Sequence, residues 1–382
     1  MFIQSEIVTE WLQRLDTHKA FFTEQAAYRD ETRTFPAEQL HWLAEQGYSA
    51  LTLPKQYGGQ GLTVSDMVVL QEKLATFDGS TALAIGWQLG VVGDLFEQHT
   101  WEDATLMALA TNIKEGALIN RNASERATGS PMRGGRPETT AQKVGDTWVL
   151  NGHKVFATTS PVLHYFVVSA WVEEKQAICH FLVPHDSEGL SLQQTWNTVG
   201  MRATASDDLL LQNVTLPLHA LVEVQQVPHT ARINGWLLHI PACYLGIAQA
   251  ARDYALHYAT TYSPNSIQGT ISDLPNVKTH IGHMEQELME MRHFLYSAAR
   301  LYDDVHQRPL LTNELNAAKT KVMNGAIQVI DIAMRICGAH SLQMDCPLQR
   351  YYRDIRAGLH NPPMEDMVVL KLAETAIANA KK

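Results

Sequence analysis

The residues best equipped for chemistry crowd into one short run, LHNPPMED at Leu359–Asp366. A histidine is the side chain best suited to hold or release a proton near neutral pH, and His360 stands in this run. Glu365 and Asp366 are carboxylates, which become general bases when held within hydrogen-bond reach of a substrate proton. The bland alternative for His360 is a capped helix end before a proline turn. A second run, NASERATGS at Asn122–Ser130, offers Ser124, Gly129 and Ser130. Glycine lets a backbone approach closely, and successive N–H groups can cup an anion. A polar surface loop is the competing reading. In KVFAT, plain strand patterning makes Phe156 a core residue and Thr158 an exposed one.

Metal and nucleotide signatures are weak. Glu38/His41 and Glu290/His293 are Glu-x-x-His pairs, half of a di-iron signature in a helical bundle. Composition alone gives roughly two acid-x-x-His pairs, so chance accounts for them. His280, His283 and Glu287 read as a solvated helix face, and no metal site is expected. GGQG at Gly58–Gly61 lacks the third glycine and the preceding strand of a dinucleotide fingerprint, and no P-loop, HExxH or GxSxG occurs.

The elements that must position these residues fall into three blocks. Up to about Glu115 the apolar residues recur at helical spacing, with one helix expected over Glu6–Ala27. Pro36 suits a first helical turn and Ser65 or Asp66 an N-cap, and Asp78-Gly-Ser80 precedes a helix expected from Thr81 to about Phe96. From Thr139 to Pro217, short β-rich runs alternate with turn signals. Asn151-Gly152 is the strongest hairpin signal, and Gly145-Asp146 marks another turn. From about His229 long helices return, with a loop from Ser263 to Pro275 and an amphipathic helix over Asn313–Cys337 stopped by Gly338. Met284, Met289, Met291 and Phe294 read as helix packing. The boundaries expected are 1–116 for an all-α domain, 117–222 for a β domain and 223–382 for a second helical domain.

Composition excludes several classes. The chain has 382 residues, 45% hydrophobic and 18% charged, enough for a sizeable core in two or three domains. A net charge of −10 argues against a nucleic-acid partner, which calls for clustered Lys and Arg. No unbroken apolar run offers a membrane span and no signal peptide is visible. The four cysteines show no CxxC spacing, which fits free thiols and a cytoplasmic location.

Three motifs in order carry a resemblance covering almost the whole chain: LPKQYGGQGL at Leu53–Leu62, the β run around KVFATTS, and CPLQRYYRDIRAG at Cys346–Gly358. Together they resemble the acyl-CoA dehydrogenase superfamily. The resemblance implies a helical N-terminal domain, a middle β-barrel and a C-terminal four-helix bundle. It implies a flavin, with Phe156 against the ring, Thr158 at N5, Ser124 at the ring edge and Gly129-Ser130 at the pyrophosphate. It places Trp87 and Gln88 on a helix lining the substrate side, with Asn361 as a further pocket residue. It also implies an acyl-CoA substrate, an electron-transfer flavoprotein or flavin reductase as partner, and a homotetramer or dimer, because the family's flavin site spans subunits.

The chain departs from that pattern in two places. The subsite for the ADP half of FAD has Tyr262 where an arginine is usual and Pro275 where a glutamine is usual. Gly338-Ala339 replaces a Gly-Gly. FMN thus becomes an alternative to FAD, and the insertion Pro131–Glu138 blurs the register of Gly129-Ser130. The base is the second departure. Counted from Tyr352-Arg353-Asp354, the usual carboxylate slot holds Pro362, and the family's other slot falls near Trp236. Three readings follow: a dehydrogenase whose base is Glu365 or Asp366; a reduced-flavin monooxygenase using His360, whose His-Asn-Pro run is similar to one in oxygenases of this fold; or a non-catalytic acyl-CoA-binding relic or scaffold.

Overall fold

The computed structural model describes residues 5–128, 135–225, 233–311 and 313–381. The first block is helical: α1 Glu6–Thr17, α2 Lys19–Thr23, α3 Ala26–Thr32, α4 Ala37–Glu45, α5 Val64–Ala75, α6 Gly79–Gln98 and α7 Asp103–Lys114. The single helix expected over Glu6–Ala27 is three. His18 leaves helical geometry at φ −102, ψ 17, and its Nδ1 meets the Arg14 carbonyl at 2.9 Å. The redirected chain buries Phe22 against the rings of Trp42 and Phe77. The cap of α5 is Thr63 rather than Ser65 or Asp66. Asp66 answers it from the third helical position, completing a capping box. Asp78 caps α6 through Ser80 N–H and also holds Arg29 and Thr81. Nearly every residue of α6 is buried, as befits a helix apolar on all sides.

The second block is one eight-stranded sheet: β1 Ile119–Asn122, β2 Thr140–Val144, β3 Thr147–Ala157, β4 Tyr165–Val172, β5 Ala177–Pro184, β6 Leu190–Gln193, β7 Asp207–Pro217 and β8 Leu221–Val224. Its path is β6-β7-β3-β2-β4-β5-β8, with β1 parallel to β4. The β2–β3 hairpin turns at Gly145-Asp146, with Gly145 at φ +58. Asn151-Gly152 is not a hairpin turn, as its sequence suggested. It lies inside β3, where the register with β7 shifts between Leu150 and Gly152. A Cβ on Gly152 would stand 2.2 Å from Thr139 Oγ1, so the glycine permits a close strand approach at a bulge.

The third block holds α8 His239–Thr261, α9 Pro275–Asp303, α10 Glu314–Cys337, α11 Pro347–Ala357 and α12 Glu365–Ala380. Helices α8, α9 and α10 pack together, and α8 and α9 pack onto α5. A Cβ on Gly246 would sit 2.2 Å from the Glu72 carbonyl, so α8 and α5 nearly touch. Glu72 then ties α5 to α9 through Arg292 and Tyr296. Gly338 stops α10 at φ +60. The stretch Glu314–Leu342 is long and apolar enough to cross a membrane by composition, with mean hydropathy 1.2, but half of that window is buried. This is the pattern of a core helix. His280, His283 and Glu287 line an open groove of about 440 Å³ between α9 and α10, where Glu287 accepts from Lys321 at 2.6 Å.

Candidate active site

The turn after β3 inverts the plain-strand expectation. Phe156 sits at φ +60 with its ring 61% exposed, edge-on to Trp196 at 6.1 Å. Thr158 is buried, and its Oγ1 meets Ser206 Oγ at 2.8 Å. Ser206 meets Thr204 Oγ1 at 2.9 Å, and Thr204 donates to the Met201 carbonyl at 3.0 Å. The Thr158 carbonyl accepts from Asn120 Nδ2 of β1 at 3.1 Å, while Thr159 donates to the Ala84 carbonyl of α6 at 3.2 Å. The turn is thereby clamped between β1, α6 and the loop before β7. Positive φ at Phe156 and again at Thr159 throws the aromatic ring outward and turns the hydroxyl in.

Ser124 lies beside this turn, its carbonyl accepting from Val155 N–H at 2.9 Å. The next residue, Glu125, pairs with fully buried Lys154 at 2.5 Å. Burial pushes the Glu125 carboxyl up, but Lys154, Thr139 and the Glu138 N–H outweigh it and hold the group at about 2. Burial pulls the Lys154 ammonium down against the opposing pull of Glu125. Asn122 shares a face of β1 with Asn120, by strand alternation. Its amide is buried, with neither atom hydrogen-bonded among the described residues. Gly129 and Ser130 lie outside the described residues.

Across the turn stand α6 and the start of α8. Trp87 packs edge-on to His239 at 4.8 Å, and among the described residues neither the indole N–H nor either imidazole nitrogen has a hydrogen-bond partner. Burial holds His239 at about 3, so it is a neutral ring. Gly86 and Gly90 make the room, since a Cβ on either would lie within 2.8 Å of that ring. Gln88, expected in the pocket, is instead a joint. Its Oε1 accepts from Ile119 N–H at 2.7 Å, and its amide nitrogen donates to the Ser49 and Ala117 carbonyls. Trp236 donates to Glu97 at 2.9 Å.

The C-terminal loop is docked by α11. Asp354 is buried and accepts from Met201 N–H at 2.6 Å. Burial raises its carboxyl to about 7, against the pull of Arg350. Asn361 accepts from the buried Tyr244 hydroxyl at 2.6 Å. His360 is exposed, and no hydrogen bond to its imidazole occurs among the described residues. Pro362–Pro363 is a cis peptide. Glu365 and Asp366 open α12 and are exposed, with Glu365 accepting from Asn324 Nδ2 at 2.9 Å. Lys319 is buried near Glu365 and is lowered to about 8 by burial. Gly338 faces open space at its α-carbon and serves as a helix stop.

Sequence comparison decides the family. Residues 13–104 match the acyl-CoA dehydrogenase N-terminal domain, 121–214 its middle domain and 233–359 its C-terminal domain. YdbM of Bacillus subtilis (strain 168), itself assigned to these dehydrogenases only provisionally, is 51% identical over 98% of this chain and 99% of its own. The chain belongs to the acyl-CoA dehydrogenase family. The fold agrees. Butyryl-CoA dehydrogenase from Megasphaera elsdenii superposes with TM-score 0.86 at 18% identity, covering 99% of this chain and 100% of that one. KijD3, solved with FMN and a dTDP-linked amino keto sugar, superposes with TM-score 0.85 at 23% identity, covering 98% and 95%. The C-terminal match ends at residue 359, so His360, Glu365 and Asp366 lie just beyond it.

Several site residues had no signal of their own in the sequence. Thr204 and Ser206 look like a polar turn until the loop folds under Thr158. Asn122 reads as a strand end and His239 as a helix start. Their clearest hint is polarity inside otherwise apolar helix and strand patterns.

Proposed function

We propose that the chain is a flavin-dependent oxidoreductase whose flavin lies against the Phe156–Thr158 turn. The carrying observation is the pairing of an exposed aromatic ring with a buried hydroxyl on one clamped turn. The unpartnered amide of Asn122 adds a donor and an acceptor beside it, which suits a heterocycle edge carrying both. FAD or FMN fits this set, and the FMN in KijD3 supports FMN as the alternative. When bound, the flavin supplies two-electron chemistry; the protein supplies orientation, electronic tuning and exclusion of water.

Two reactions fit the family. Oxidation of an acyl-CoA-like thioester is favoured by membership and by the full-length relative. It requires a carboxylate to take the α-proton, and an electron-transfer flavoprotein to accept electrons. Glu365 and Asp366 are the candidates, and Glu365 would have to leave Asn324. Transfer of one oxygen atom from O2, with a reduced flavin supplied by a flavin reductase as the two-electron reductant and water as the second product, needs no such base. A specific observation favours it: every buried carboxylate among the described residues is already held. Asp30 pairs with Arg353, Glu72 with Arg292, Asp78 with Arg29 and Asp94 with Arg121. Glu125 pairs with Lys154, Asp207 accepts from Trp196 N–H, Asp208 pairs with Arg126, and Asp354 accepts from Met201 N–H. His360 is exposed, and no hydrogen bond to its imidazole occurs among the described residues; a histidine there could hold or deliver a proton. The geometry therefore favours oxygenation over base-dependent dehydrogenation.

The test starts with binding. Titration with FMN and FAD should perturb the flavin spectrum, and protein that binds neither overturns the reading in favour of a non-catalytic relic. A homo-oligomer, tetramer or dimer, belongs to the same reading. Val369, Leu370, Leu372 and Ile377 leave apolar surface exposed on α12, of the kind that subunit contacts cover.

A further inference from the structure

We propose that Thr204, Ser206 and Thr158 form a reversible hydroxyl relay that lets Thr158 either donate to or accept from N5 of a bound flavin. The inference rests on the flavin reading above. The three hydroxyls are in line, with Oγ separations of 2.9 Å from Thr204 to Ser206 and 2.8 Å from Ser206 to Thr158. All three side chains are buried, so bulk water does not interrupt the line. Each hydroxyl has one hydrogen and two lone pairs. The direction of the line is therefore set at its inner end.

That inner end is the Met201 carbonyl, and it is over-subscribed. It accepts from Trp196 Nε1 at 2.8 Å, from Thr204 Oγ1 at 3.0 Å and from Thr204 N–H at 3.3 Å. Three donors compete for two lone pairs, so the Thr204 hydroxyl can turn away without orphaning the carbonyl. When Thr204 points at Met201, Ser206 donates to Thr204 and Thr158 donates to Ser206. Thr158 then presents only lone pairs outward. When Thr204 turns to Ser206, Ser206 donates to Thr158, and Thr158 donates outward. An oxidised flavin offers N5 as an acceptor, whereas a reduced one carries a hydrogen there. The relay satisfies both by rotating three hydroxyls, with no heavy atom moving. Hydrogen-bonded chains of this kind polarise cooperatively.

The relay makes Ser206 and Thr204 positioning residues for flavin redox state, though neither needs to touch the flavin. In Ser206→Ala, Thr158 has no inner acceptor and must donate outward. In Thr204→Val, Ser206 has no inner acceptor and locks Thr158 in the same sense. Both should weaken binding of reduced FMN relative to oxidised FMN by about tenfold, the worth of one buried unsatisfied hydroxyl. The readout is the ratio of the two FMN dissociation constants, with the midpoint potential as an independent check. Ser206→Thr and Thr204→Ser keep the hydroxyls and should restore the ratio. Equal loss for both redox states would overturn the relay while leaving the flavin reading intact. Failure of the unaltered protein to bind FMN or FAD would overturn the flavin reading itself, and the relay with it.

Discussion

At the scale of single residues, Asp354 makes the sharpest pH prediction. Its folded carboxyl titrates at about 7 because burial outweighs Arg350 and the Met201 N–H, whereas an unfolded aspartate titrates near ~3.9. The folded state therefore holds the proton over that window. The stabilising contribution is complete below about pH 4 and is lost as pH rises toward 7, with a ceiling of about 4 kcal/mol. Asp354→Asn keeps an oxygen for Met201 N–H and removes the titration. Denaturant unfolding across this range should show the variant gaining on the parent as pH rises; parallel curves would exclude the effect. His360 and Glu365 give a second pair of predictions. His360→Ala should change the oxygen-dependent reoxidation rate of bound reduced flavin by ~10² to 10⁴, the usual reach of one acid–base group. Glu365→Gln should leave that rate within about twofold, and the opposite pattern would exchange the two roles. Residue identity was readable only where the role is local. Phe156 and Thr158 stand out by type, but their inversion depends on positive φ at Phe156, which no pattern of apolar and polar residues announces. Ser206 and His239 gain their place at the site from Thr158 and Trp87, dozens of positions away.

At the scale of elements, the Glu125–Lys154 pair ties β3 to the run that follows β1. Glu125 follows Ser124 and Lys154 precedes Phe156 by two positions, so the pair fixes one against the other. Removing a single partner leaves an uncompensated buried charge, which typically costs about 3–5 kcal/mol. Lys154→Met should destabilise by that order in denaturant unfolding, and Lys154→Met with Glu125→Leu should recover much of it. Additive losses would mean the pair is not coupled. Elements set by neighbouring residues were legible in the sequence: the Gly145-Asp146 turn and the Gly338 stop. Elements set by tertiary pairing were not. Asn151-Gly152 has hairpin chemistry, yet pairing with β7 and the approach of Thr139 carry the strand straight through it. The same holds for Glu6–Ala27, where the aromatic packing of Phe22 bends what the periodicity reads as one helix.

At the scale of the whole molecule, three matched domains in order and the resemblance of the motifs agree on the family, while the C-terminal match ends at residue 359, just before the His360–Asp366 run. The exposed apolar residues of α12 predict self-association. Leu370→Lys, at a 61% exposed position, should shift sedimentation toward smaller species without unfolding the chain, and an unchanged distribution would remove α12 from the interface. The central claim is that this flavoprotein fold works without a resident carboxylate base. Anaerobic titration of the flavin-loaded protein with acyl-CoAs from butyryl to palmitoyl tests it most directly, read by the flavin's long-wavelength absorbance. The absorbance should persist with every thioester; bleaching by any of them would show that a base is present and overturn that claim.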